Sequence, residues 1–160
     1  MATGSSSSEV FLTPQALLEH WQGHRRVTRR VIEAFPEDKF TTFAVGGMRP
    51  FSLLAVELLR MDVPTVRGVI TDTWSEGISA EARPKAEVLR LWDEHTKELN
   101  ALWPTIPTAR FQQTLNAFGQ WKMPGHALIM YIVDNEIHHR AQGYVYLRAL
   151  GIEPPHFWER

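Results

Sequence analysis

Apolar residues return every three or four positions in four separate stretches of this chain, the spacing of helices that each bury one face. Leu17, Trp21, Thr28, Val31 and Phe35 share a stripe in the first, and Leu54, Leu58 and Met61 in the second. The third sets Val88, Leu91, Trp92, Leu99 and Leu102 on one line, and the fourth, the longest, runs from about Pro124 to Leu150. Prolines punctuate these stretches, because the ring is tolerated at a helix start and breaks a helix interior. Thr13 and Pro14 supply an N-cap and a first helical residue, with Leu12 and Leu17 spaced for a hydrophobic staple. The first helix then runs towards Phe35 and stops at Pro36, and the third stops at Trp103–Pro104. The second either ends near Asp62 to Pro64 or continues through Val66 to Ile70. Gly151, Ile152 and Pro154 close the fourth in the pattern of a left-handed glycine cap.

No Asn-Gly or Asp-Gly pair marks a hairpin, and no sustained alternation of β-branched residues marks a strand. The segments Phe40 to Met48 and Arg110 to Lys122 are therefore assigned as connections. The prediction is an all-α fold, a single four-helix bundle over residues 11–160, preceded by a flexible, serine-rich tail over residues 1–10. With 160 residues, 44% of them hydrophobic and 22% charged, the chain suffices for one well-filled domain. A net charge of −1 removes any global attraction to nucleic acid or anionic membrane, and the absence of cysteine removes thiolate and Cys-metal chemistry. No apolar run is long enough to span a membrane, and the first nine residues lack the features of a secretory signal, so a cytoplasmic protein is expected.

Chemistry enters where polar residues interrupt the apolar stripes, since bundles build their sites from side chains that project inward. His24 lies on the stripe of Trp21 and Thr28, and His95 on the line of Val88, Trp92 and Leu99. A lone histidine in such a stripe is expected to be a satisfied core or boundary residue. Glu57 lies between Leu54 and Met61, so it sits either at the core's edge or beside a cation, an arginine or a metal. In the fourth helix the stripe Leu128, Ile132, Asn135, His139, Gln142, Tyr146 turns polar for three positions. Asn135 and His139, four apart, fit either two ligands of one metal or a buried hydrogen-bonded pair. A carboxylate-bridged di-iron site needs two Glu-x-x-His motifs, and only Glu136–His139 lies on a predicted helix.

The stretch Asp134-Asn135-Glu136-Ile137-His138-His139-Arg140-Ala141-Gln142, continued by Tyr144 to Arg148 and closed by Gly151 to Pro155, resembles the last helix of the DinB/YfiT-like family. Met48 to Glu57 resembles the start of that family's second helix, and the likeness covers residues 11–158. The resemblance implies an up-down-down-up bundle, a homodimer, stress-associated expression and a divalent-metal site of three histidines. It also implies thiol-dependent transferase or hydrolase activity. Carried over by position, the ligands are Glu57, Asn135 and His139, with only one histidine left, and Ala141 stands where the family has glycine. That set would hold zinc or nickel less well than manganese or iron(II). A bound metal would activate water or a substrate thiol, with His24, His95 or Glu136 as proton acceptor. The alternative is a non-catalytic, small-molecule-binding or stress-associated dimer in which Glu57 accepts a hydrogen bond from His139 or Asn135. A third class, nucleic-acid binding, would use the ridges Arg25/Arg29 and Arg26/Arg30; a solvated helix face is the expected role of these residues.

Overall fold

The computed structural model describes residues 10–160, so the expected tail lies outside the described residues except for Val10, which is exposed. Thr13 caps α1 (Pro14–Ala34), its hydroxyl accepting from Ala16 N at 3.0 Å, and Pro14 takes the first helical position. A four-residue helix, α2 (Glu37–Phe40), follows. The next long helices, α3 (Phe51–Thr71), α4 (Lys85–Leu102) and α5 (Gly125–Ala149), each start immediately after a proline, at Pro50, Pro84 and Pro124. Of the two courses open to the second predicted helix, α3 takes the continuous one, through Pro64. Leu59, Val63, Val66 and Val69 are buried on both sides of that residue. Burying such side chains contributes about 1.5–3 kcal/mol each, enough to offset the roughly 3 kcal/mol cost of an internal proline. The end of α5 is a Schellman cap: Gly151 has φ 75°, Ile152 N donates to Leu147 O and Gly151 N to Arg148 O.

Side-chain pairs give the helix directions. Trp103 meets Pro14 O, Gln22 meets Asn100, Arg29 meets Asp93 and Lys85 meets Phe35 O, so α1 and α4 are antiparallel. Trp21 reaches Glu136 and His24 reaches Arg140, so α1 and α5 are parallel. Glu57 pairs with His139 and Met61 with Asn135, so α3 opposes α5. Ser52 meets Arg83, Asp62 meets His95 and Arg67 meets Glu98, so α3 and α4 are parallel. The bundle is up-down-down-up. A parallel pair needs a return of bundle length, and residues 72–84 supply it along α3. Trp74 packs where Gly68 lacks a Cβ, Gly77 lies against the Arg60 backbone, and Ser52 Oγ exchanges hydrogen bonds with the Arg83 backbone.

The connection from Arg110 to Lys122 holds more structure than the sequence indicates. After 3₁₀ turns at Trp103–Thr105 and Thr108–Phe111, β1 (Thr114–Ala117) and β2 (Trp121–Pro124) form an antiparallel hairpin, paired from Thr114↔Pro124 to Ala117↔Trp121. Its turn has left-handed backbone at both Phe118 (φ 53°) and Gly119 (φ 69°), the geometry that Asn-Gly usually announces. Phe118 in the Asn position hides the signal, and a bulky residue there costs about 1–2 kcal/mol.

Two apolar clusters fill the bundle, one around Trp21, Leu99, Trp103 and Ile129, the other around Phe35, Phe51, Trp92 and Tyr146. Between them, at mid-height on all four long helices, lies a band of buried charged and polar side chains. No helix among the described residues is long and apolar enough to cross a membrane.

Candidate functional site

Each member of the polar band comes from the middle of a helix whose flanking turns are apolar, so burial of the helix drags the polar side chain inward with it. Such a group must then find its partner within the protein.

At the centre, Arg25 is 1% exposed and donates to Asp62 Oδ2 at 2.8 Å, to Thr96 Oγ1 and to Trp92 O. Its guanidinium lies 4.2 Å from the Trp92 ring centroid. Asp62 faces His95 Nδ1 with its other oxygen at 2.7 Å. The expected solvated face of α1 is thus corrected for Arg25. The Arg25/Arg29 ridge turns against α4, where Arg29 pairs with Asp93. Of the second ridge, Arg26 is exposed and Arg30 pairs with Glu159 in the C-terminal segment, whose Arg160 packs on Gly23. Phe157 and Trp158 stay more than half exposed, with Trp158 stacked on His156.

Between α1 and α5, Glu136 accepts from Trp21 Nε1 at 3.0 Å and from Thr28 Oγ1 at 2.6 Å. Burial pushes its carboxyl above the usual range, against the pull of Arg25 and Arg140. Arg140 donates to His24 Nδ1 at 3.0 Å and to His24 O. Burial first, and then the charges of Arg140 and Arg160, lower the His24 pKa to about 3. A ring nitrogen that accepts from a guanidinium has no room for a proton. His24 and His95 are both satisfied by partners, as lone histidines in a stripe usually are.

The three family ligand positions lie at the α3–α5 edge of this band. Glu57 Oε1 is 3.0 Å from His139 Nε2, and Glu57 Oε2 is 2.6 Å from Arg49 Nη1. His139 Nδ1 lies 2.7 Å from Gln142 Oε1. Asn135 does not join them: its amide nitrogen points to Met61 Sδ at 3.4 Å. Partial burial raises the Glu57 carboxyl, but the hydrogen bonds and charges of His139 and Arg49 outweigh it and hold the group below the usual carboxylate range. His138, the neighbouring ring, is exposed on the outer face of α5.

Arg49 is the residue that the helical periodicity does not show. It precedes Pro50 in the loop before α3, and Tyr146 Oη holds that loop in place by donating to Arg49 O at 2.9 Å. The one signal for it in the sequence is its place in the Met48–Glu57 motif, eight residues before the carboxylate.

A divalent cation needs lone pairs that converge on one point and are not already claimed. Among the described residues no group of three or more His, Cys, Asp or Glu is arranged to hold a metal ion. Both Glu57 oxygens are engaged, Asn135 presents a donor away from them, and a guanidinium 2.6 Å from the carboxylate repels a second cation. The donor set in this arrangement does not fit a divalent ion. It does form a connected chain, Arg49–Glu57–His139–Gln142, able to offer both donors and acceptors to a polar ligand.

The DinB family model matches residues 7–160. An uncharacterised protein, YjoA of Bacillus subtilis strain 168, is 24% identical over 153 residues, which cover 90% of this chain and 96% of that one. The crystal structure of YjoA, a DinB-like protein, superposes with a TM-score of 0.72 at 21% identity, over 90% of this chain and 98% of that chain. A DinB-like protein from Bacillus cereus ATCC 10987 gives 0.69 at 15% identity, over 92% and 99% of the two chains. At these identities the structural likeness concerns the fold.

Proposed function

The chain belongs to the DinB family, and from that premise we propose that it is a metal-independent member that binds a small molecule beside its Glu57–His139 cluster. The observation that carries this reading is Arg49 at 2.6 Å from Glu57. The resemblance puts a neutral imidazole at this position in metal-binding relatives; here it is a carboxylate, and a side chain of the protein balances its charge. The amide oxygen of Asn135 then remains as a hydrogen-bonding group, and Glu57 and Arg49 as a charged pair open to water on one side.

The reading is tested by restoring what it says is lost. Zinc is titrated calorimetrically into the wild type and into the combined variant Arg49→Ala, Glu57→His, Asn135→His. The wild type is expected to take up no stoichiometric zinc, and the variant, with three imidazoles and no guanidinium, to bind one equivalent. Stoichiometric binding by the wild type would favour the metal-dependent transferase or hydrolase that the family resemblance implies.

A further inference from the structure

One turn below Asn135, the groove between α3 and α5 opens into a cavity of about 130 Å³ that the β1–β2 hairpin covers. Met61 and Thr65 line it from α3, and Leu128 and Ile132 from α5. Phe118, Trp121 and Met123 close it from the hairpin, and Tyr131 stands at its mouth. Met61 accepts from Asn135 and also lines this cavity, so the cavity and the polar cluster are contiguous.

We propose that this cavity is a binding site for a neutral, single-ring aromatic molecule that bears one hydroxyl group. The inference rests on the reading above, that the protein binds a small molecule at this groove, and names the class. Volume sets the size, since an apolar cavity of about 150 Å³ accepts one benzene ring. Charge sets the form: none of the side chains lining the cavity is ionisable in the neutral range, so an ion would shed its hydration without a partner. Aromatic and thioether groups on several walls suit a π-face. The one buried polar residue on the wall is Thr65, 5% exposed. Its hydroxyl gives a ligand hydroxyl a partner on that wall.

The hairpin adds an independent observation. Phe118 holds a left-handed backbone at φ 53° while its side chain remains 39% exposed, tilted against Trp74 and edge-on to Trp121. Asparagine would form the same turn with less strain, so the turn itself does not call for a phenyl group there. The strained position therefore sets a partly exposed ring on the wall of the cavity, where a ligand can meet it.

The test titrates phenol, toluene and benzoate into the full-length protein, followed by ligand-observed NMR. Wild type should bind phenol saturably, and benzoate at least about tenfold more weakly. Thr65→Val should weaken phenol by about tenfold and leave toluene unchanged. Phe118→Asn should raise the melting temperature by about 2–4 °C by relieving the turn, and yet weaken phenol by about tenfold. A purely structural Phe118 would not produce that opposition. No saturable phenol binding by the wild type, or phenol binding by the Phe118→Asn variant equal to wild type, would overturn the proposal. The two readings separate cleanly. Saturable phenol binding together with stoichiometric uptake of a divalent metal by the wild type would contradict the metal-free cluster and leave the cavity assignment standing. A protein that takes up no metal and binds no phenol would do the reverse.

Discussion

Asp62→Ala is expected to destabilise the protein by about 3–5 kcal/mol. The carboxylate is 1% exposed and receives Arg25, itself 1% exposed, at 2.8 Å. Its other oxygen faces His95, so one truncation strands two partners. The guanidinium would keep Thr96, Trp92 O and the Trp92 ring, none of which carries a compensating charge. A loss of this size is a large part of the roughly 5–15 kcal/mol that holds a typical domain folded. Urea unfolding followed by circular dichroism measures it directly. The companion variant Arg25→Met, Asp62→Leu removes both charges and should recover most of the loss, because the cost lies in the orphaned ion and not in the missing attraction. A loss under about 1 kcal/mol for Asp62→Ala would mean that water reaches Arg25 in the folded state, against its burial here.

His24 should make the fold sensitive to acid. Its pKa is lowered from 6.5 to about 3, so the unfolded chain binds a proton between those values that the folded protein refuses. Stability contributed by the neutral ring is therefore fully present above about pH 6.5 and is lost as pH falls towards 3. The most this can amount to is on the order of 5 kcal/mol, since each tenfold difference in proton affinity between the folded and unfolded chain is worth about 1.4 kcal/mol. Glu136 works in the opposite sense. Its folded pKa is raised, so its protonated form favours the fold at low pH and that contribution fades as pH rises. Subtracting the stability of His24→Gln from that of the wild type cancels Glu136 and isolates the ring. The difference should be flat above about pH 7 and then move in favour of the variant by several kcal/mol as pH falls to about 3.5. Parallel curves for the two proteins would refute the account of His24.

Much of this architecture can be read from the residues because two simple signals agree. Pro14, Pro50, Pro84 and Pro124 mark the starts of the four long helices, and the stripes that follow them are the buried faces. The polar interruptions at His24, Glu57, His95 and His139 lie on one level of the bundle, which periodicity can suggest because it reports which residues turn inward. It cannot report partners. Arg25 stands in a run of basic residues that looks like a solvated face, and only the packing of α4 against α1 reveals the carboxylate waiting for it on α3. Asp62 is hidden by proximity to Pro64, which makes its neighbourhood resemble a helix end. Arg49 lies outside any helix, and its distance to Glu57 depends on a loop that Tyr146 pins from α5. The hairpin escapes the sequence pattern for a local reason, the phenylalanine at a left-handed turn position.

On the reading proposed above, Arg49 serves the Glu57 carboxylate and so leaves the ligand positions of this DinB-family bundle without a resident metal. Native mass spectrometry decides the matter on wild-type protein purified without chelator from cells supplied in turn with zinc, nickel, manganese and iron. The expected mass is that of the bare chain in every case. One equivalent of any of these metals, retained by the wild type and lost in His139→Ala, would contradict it.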